Sequence, residues 1–521
     1  MKYSSDGGEA LHRGVIAASS DATFADGVLV PGFSGDVAAG AGEAALGLSE
    51  LLHAPHGISA TGERAASWLG QVSWAVYEFG RTPYVLLVTI YFFSPYFVRF
   101  VVGDAVEGQW LWGAIAAAGG LMVACLAPFL GAIADKGGRR KPWIALYTVL
   151  LSIAMLTMWN AVPHATGWVL LGVGASVALA NVSFEFSAVF HNAMLPTIAP
   201  PQRVAGLSGL GLSLGNAGGI VVLLFMLIGF SLPGNVHWPF VPAHPLWGIN
   251  QAAHEPERLA GPIAAIWLLV FCVPLFLFTP DRVGKSLPIG SAIRESIRTV
   301  IGTIKSLRKY RNVGAYLLAR LFFNDGMTAV LTFGGIYAST TFRWGPIEML
   351  IYGVELSIFA VLGGFVGGWL DNHLGSKRAI FVSIGGTAVF GLITLTFAPD
   401  RMFWFIPYDT HSAPVWSLPF FRTWPEIIFL LIVNFIAVLI TAGYANSRTM
   451  LARIAPTSKM TEFFGLYSLS GTSTTFLATG FVSWATRASH SQRIGLLGET
   501  LFLCIGLFLM IFVKERREAD A

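Results

Sequence analysis

Charge is what this chain has least of. Asp, Glu, Lys and Arg make up 12% of its 521 residues, about half the roughly 25% usual in soluble domains. So few charges cannot cover the surface of a water-soluble protein this long, which excludes a soluble enzyme, a disordered chain and a fibre. Cysteine is scarce too. Cys125, Cys272 and Cys504 are far apart and odd in number, so neither a disulfide framework nor a metal site follows from them. No G-x-x-x-x-G-K-[ST] run is present to cradle a nucleotide, and no H-E-x-x-H or Cys/His cluster to hold a metal. The formal charge of +4 is too small to imply nucleic acid. What remains is apolar: 54% of positions are hydrophobic, and mean hydropathy is +0.64. The composition describes a multi-pass membrane protein.

A membrane helix needs about 20 mainly apolar residues, and only helices satisfy their own backbone in lipid over runs of this length. Twelve runs qualify: 74–102, 110–134, 142–161, 167–190, 205–230, 261–279, 313–339, 347–370, 379–398, 426–446, 461–485 and 494–513. The expected organisation is a disordered tail over 1–70 with a short surface helix near Gly42–Leu52, a six-helix bundle over 71–279, a linker over 280–312 and a second bundle over 313–515. In the linker, Ile293, Ile297, Ile301 and Ile304 recur at helical spacing among Arg294, Arg298, Lys305 and Arg308, the pattern of an amphipathic helix on a lipid surface. The tail, the even-numbered connections and the C-terminus carry 24 Lys and Arg, and the odd-numbered connections, with Arg99 at the end of the first run, carry 7. The positive-inside rule therefore places both termini in the cytoplasm.

The second half echoes the first. Gly131, Asp135, Gly138, Arg139 and Arg140 follow the second run, and Gly367, Asp371, Gly375, Lys377 and Arg378 follow the eighth. Met194-Leu195-Pro-Thr-Ile198-Ala199-Pro200 follows the fourth, and Met450-Leu451-Ala-Arg-Ile454-Ala455-Pro456 the tenth. Gly206-Leu207 and Gly465-Leu466 open the fifth and eleventh. Corresponding Asp, Met and Gly residues stand 236, 256 and 259 positions apart. Six spans restore the same orientation, so the repeat is parallel, an arrangement found in transporters that rock around a midplane site.

The G-x-x-x-D-x-x-G-R-R run at Gly131–Arg140 resembles the cytoplasmic-loop motif of the major facilitator superfamily. The second copy departs from it by one inserted residue before Gly375. WAVYEFGRTPY, GAIADKGGRRKPW, NAMLPTIAPPQR and YLLARLFFNDG resemble the branch related to the fungal autophagy-linked vacuolar amino-acid effluxer. This chain carries Glu78 and Arg81 where that branch has an Asp and small polar residues. The resemblance implies an all-α transmembrane protein of twelve helices, with two six-helix bundles related by a parallel repeat. It also implies a secondary transporter, with amino acids as the leading substrate class.

Charges inside spans are expensive and functional by default. Glu78 and Arg81 lie one turn apart in the first span, ahead of Thr82-Pro83, and pair with each other or snorkel to the interface. Arg320, Asn324 and Asp325 lie in the seventh, with Asp325 close to the midplane. Asn181 and Glu185 share a face of the fourth, Glu355 lies in the eighth, and Asn434 in the tenth. Since the first and seventh spans are equivalent, both clusters are expected to face one central cavity. Asp325 is the leading candidate for proton coupling. The loop motif is read as a gate in which Asp135 holds Arg139 or Arg140 or the start of the third span, with Asp371, Lys377 and Arg378 as the second copy. The expected protein is not an enzyme and needs no cofactor. It works as a monomer on a small polar solute, with protons and membrane lipids as its other partners, in a bacterial inner membrane. An intramembrane enzyme built on buried carboxylates, a channel and a passive uniporter are the rival readings.

Overall fold

A computed structural model describes residues 57–59, 64–136, 139–281, 294, 298, 301–302, 305, 307–409, 411, 413–456, 463–464, 466–467, 471 and 474–516; the side chains of 127–129, 131–136, 201–202 and 205 lie outside that description. The tail, its short helix and most of the amphipathic linker also lie outside it. Arg294, Arg298, Ile301 and Lys305 are helical and exposed.

Helices stand at all twelve expected positions: α1 Trp68–Val102, α2 Ala105–Lys136, α3 Lys141–Thr157, α4 Gly167–Ile198, α5 Pro201–Met226, α6 Glu255–Phe278, α7 Arg311–Phe342, α8 Pro346–Leu374, α9 Ser376–Thr394, α10 Trp424–Ile454, α11 Thr475–Ser489 and α12 Gln492–Ile511. Ten are long and apolar enough to cross a membrane among the described residues. The exceptions have separate reasons. In α7 the polar residues around Arg320–Asp325 lower the hydropathy, and α11 is described over 15 residues only. Between α9 and α10 a small hairpin pairs β1 (Arg401–Met402) with β2 (Ile406–Pro407), with Arg401 opposite Pro407.

Helix α1 is not uniform. Pro83 has no N–H to donate and interrupts the ladder after Arg81. The chain resumes in wide π-type turns over Tyr84–Tyr91 and again over Phe97–Val102, after Pro95. Such turns inside α-helices recur at functional sites. The Met-Leu-x-x-Ile-Ala-Pro heptads correct the sequence reading. They are not loops: α4 and α10 run on through them to Ile198 and Ile454, where Ala199 and Ala455 donate back to Leu195 and Leu451.

Pairings repeat with an offset of six. In the first half α1 packs on α5 and α6, α2 on α4, and α3 on α4 and α6. In the second half α7 packs on α11 and α12, α8 on α10, and α9 on α10 and α12. Between the halves α2 meets α11, α8 meets α5, and α1 meets α7. Glycine lets these backbones approach. A Cβ on Gly335 of α7 would stand 2.5 Å from the Ile90 carbonyl oxygen of α1, and one on Gly113 of α2 would stand 2.9 Å from Phe333 and Ser483.

The halves are joined by hydrogen bonds at the end that carries the odd-numbered connections. Gln109 donates to the Thr486 hydroxyl at 2.9 Å, Ser483 to the Trp110 carbonyl at 2.7 Å, and Gln492 to the Ala105 carbonyl at 2.7 Å. Arg99 donates to the Trp344 carbonyl, and the Arg487 guanidinium lies 4.0 Å from the centre of the Trp110 ring.

Candidate functional site

Between the halves, on the inner side of this seal, lies a cavity of about 870 Å³. Its walls come from α1, α2, α4, α7 and the start of α11, and its polar groups are Tyr84, Trp112, Asn181, Glu185, Asn324 and a set of threonines. Helical spacing explains the selection. Asn181 and Glu185 are four residues apart on α4, and Asn324, Thr328 and Thr332 form one stripe on α7.

Many of these groups are already committed. Thr328 donates to the Asn324 carbonyl, Thr332 to the Thr328 carbonyl and Thr479 to the Thr475 carbonyl. The Tyr84 hydroxyl donates to Asn181 Oδ1 at 2.7 Å. The Asn324 amide bridges Gly471 and Arg320 through long 3.4 Å contacts. Two groups stand out as available. The Trp112 indole N–H is buried with no hydrogen-bond partner among the described residues, and Glu185 is the one ionisable carboxylate among the wall residues. The wall thus presents a carboxyl group, amides and the indole of Trp112, groups of the kind that hold both ends of a small dipolar solute.

Behind the wall is a closed charge cluster. Arg81 is 1% exposed and Glu78 6%. The Arg81 Nη2 group reaches both carboxylate oxygens of Glu78, at 2.9 and 2.8 Å. Its Nη1 donates to the Phe184 carbonyl at 3.2 Å, and its plane lies 4.2 Å from the Phe184 ring centre. On the far side, His191 Nδ1 stands 3.1 Å from Glu78 Oε1. His191 and Trp74 stack at 4.3 Å and exchange hydrogen bonds: the indole donates to the His191 carbonyl and Nε2 to the Trp74 carbonyl, both at 2.9 Å. Of the two sequence readings for Glu78 and Arg81, mutual pairing is the one observed. Their burial leaves no snorkelling geometry.

The seventh-helix cluster divides. Asn324 lines the cavity, whereas Arg320 turns away, donates to the Tyr467 carbonyl at 2.7 Å and lies 3.4 Å above the Tyr467 ring centre. Asp325 is fully buried and accepts from Thr474 at 2.9 Å. The sequence reading put the first- and seventh-span clusters on one central cavity. The structure corrects it: Asn181, Glu185 and Asn324 converge there, while Glu78, Arg81, Arg320 and Asp325 are not among the wall residues. Glu355 and Asn434 meet each other instead, 2.6 Å apart between α8 and α10. His191, Trp112 and Tyr84 were not singled out in the sequence. His191 falls one residue beyond the run 167–190, so it stands inside a span only because α4 continues to Ile198.

At the even-connection end, the side chains of Gly131, Asp135 and Gly138 lie outside the described residues, and Arg139 is exposed. The start of α3 is capped by Asp281. Its carboxylate accepts from the Arg140 and Lys141 amides at 3.0 and 3.2 Å, while Lys141 Nζ reaches the Phe276 carbonyl. The second half repeats this. Glu515 accepts from the Ser376 and Lys377 amides, and Lys377 Nζ reaches the Ile511 and Val513 carbonyls. Asp371 pairs with Arg453 of α10 at 2.6 Å, not with the neighbouring Lys377, and Arg453 also reaches Glu515 at 2.9 Å. These bonds tie α8, α9, α10 and α12 within one half.

Residues 115–521 match the family described as "Vacuole effluxer Atg22 like". The chain belongs to this family. It is 23% identical over 454 residues to an uncharacterized MFS-type transporter, YxiO, of Bacillus subtilis, covering 86% of this chain and 95% of that one. It is 22% identical over 349 residues to autophagy-related protein 22 of Yarrowia lipolytica, covering 61% of this chain and 52% of that one. Among solved structures, a D-xylose-proton symporter aligns with a TM-score of 0.56 at 11% identity, covering 85% of this chain and 95% of that one. A nucleoside transporter, NupG, aligns with a TM-score of 0.55 at 11% identity, covering 85% and 98%. The fold is the all-α, twelve-helix major facilitator fold. The chain is a multi-pass membrane transporter of that type, not an enzyme, and its substrate is a small molecule.

Proposed function

We propose that the chain is a secondary active transporter that moves a small polar solute, with amino acids first among the classes, through the cavity between its halves. The observation that carries this reading is the convergence of Glu185, the Trp112 indole and the amides of Asn181 and Asn324 on the wall of one space. Glu185 would hold an ammonium group, while Trp112 and an amide would hold a carboxylate. With the odd-connection end sealed, alternating access would give the solute its way in and out of this conformation on the basic, even-connection side, which the positive-inside rule makes the cytoplasm. The monomer contains the whole cavity.

Protons are the proposed coupling ion, and Glu185 replaces Asp325 as the group that carries them. A coupling group must sense which side is open and whether solute is bound, because a ligand shifts an equilibrium only through differential affinity. Glu185 borders the space that changes, with Arg81 behind it across Phe184. Asp325 is sealed against Thr474. The test is counterflow and concentrative uptake in proteoliposomes, using a panel of amino acids, sugars and small organic acids with and without a pH gradient. Accumulation of amino acids driven by the gradient is expected. Accumulation of sugars alone, or transport indifferent to the gradient, would overturn the substrate class or the coupling.

A further inference from the structure

A second cavity, of about 1030 Å³, lies mainly in the second half among α7, α8, α9, α10 and α12, with one edge against α1 and α5. Its character differs from that of the central cavity. Tyr91, Tyr337, Tyr352 and Phe429 contribute aromatic faces, and most of the remaining wall is aliphatic. The wall hydroxyls of Ser357, Thr387, Thr394 and Thr441 each donate to a carbonyl of their own helix. One ionisable carboxylate lines this space: Glu499 of α12, 8% exposed, with Oε1 buried and without a hydrogen-bond partner among the described residues.

No Lys, Arg or His is among the wall residues. Three basic groups of the surrounding helices, and Arg487 of α11, are engaged with other partners. Arg493 donates to the Tyr337 hydroxyl and the Phe397 carbonyl, Arg320 stacks on Tyr467, Arg487 stacks on Trp110, and Lys377 reaches the end of α12. A carboxylate withdrawn from water is costly unless it is paired or protonated, and the described wall residues supply no positive partner. A proton would neutralise it but would leave the aromatic space unfilled. Aromatic faces attract cations through their quadrupole, most strongly for alkylated ammonium groups that bind water weakly.

We propose that this cavity is a second binding site, which takes an organic ammonium ion carrying an apolar body, with Glu499 as its counter-ion. The site is distinct from the central cavity and its reading does not depend on what the central cavity transports.

The experiment uses the purified full chain in detergent. Equilibrium binding of benzyltrimethylammonium is compared with that of neopentylbenzene, its uncharged carbon isostere. The wild-type chain should bind the cation and not the isostere. Glu499→Gln should weaken cation binding by about tenfold or more, the loss expected when a buried charge loses its partner. Glu185→Gln is run in parallel and reads whatever share of the cation binds in the central cavity. Ala360→Trp fills the cavity from α8 and keeps the carboxylate; it should also abolish binding, and it serves if Glu499→Gln does not fold. Equal binding of the neutral isostere would make the space a lipid or hydrocarbon cavity and overturn the proposal. So would full binding by Glu499→Gln, failure of the wild-type chain to bind, or loss in Glu185→Gln alone, which would assign the cation to the central cavity.

Discussion

Single side chains in this protein separate into those that face space and those that face each other, and two substitutions exploit the difference. Glu78→Gln leaves Arg81 buried without its counter-charge, a change that costs about 3–5 kcal/mol in comparable pairs. Thermal unfolding in detergent should show a marked fall. The double variant Glu78→Gln/Arg81→Met removes both charges and should recover most of the loss. If the single and double variants melt together, the pair contributes no charge-specific stability. Glu185→Gln, in contrast, removes a wall group that is half-buried and makes no ion pair among the described residues. It should fold normally, abolish gradient-driven accumulation and its pH dependence, and retain part of the counterflow. Full concentrative uptake by Glu185→Gln would return Asp325 to consideration. Much of this site was legible in the sequence, because Asn181, Glu185 and Asn324 are polar residues inside apolar runs. What the sequence could not supply was rotation about each helix axis. Asn324 and Asp325 are adjacent, yet one meets the cavity and the other meets Thr474, just ahead of α11. Glu499 carries the same signal inside the run 494–513, whereas His191 falls one residue beyond the run 167–190.

Helix positions followed closely from hydropathy, since lipid imposes a length and an apolar composition on each span. Helix ends did not. The closing turns of α4 and α10 are polar enough to read as loops, but packing against their neighbours keeps them helical through Ile198 and Ile454. Close approach between helices is a property of elements too, and Gly335 supplies a test. A methyl group there would press on the Ile90 carbonyl across the halves, an overlap costing about 1–3 kcal/mol. Gly335→Ala should loosen the seal at the odd-connection end. A cysteine placed at Ser483, which is buried there, should react faster with a membrane-impermeant thiol reagent from that face, by about tenfold for each 1.4 kcal/mol. Unchanged labelling would show that the α1–α7 contact does not hold that end shut.

For the whole molecule, the charge asymmetry of the connections predicts sidedness. Reporters fused after Ala521 or placed within 285–310 should be active only in their cytoplasmic form, and one placed within 235–255 only outside. An external 285–310 would reverse the assignment of the sealed end. The repeat was legible because three motifs recur in order, but its chief structural expression was not, because Asp281 and Glu515 differ in residue type. Each caps the start of the third helix of its half from just beyond the sixth. That arrangement has a biosynthetic consequence. The anion needed at the start of the third helix leaves the ribosome three helices later, so each half stays unfastened until its final span has been made. A nascent chain still waiting for Glu515 has all its membrane segments and lacks the closing anion of its second half. Glu515→Gln should therefore accumulate in the membrane to a lower level than the parent chain, and an equal level would show that this anion does not decide whether the half closes.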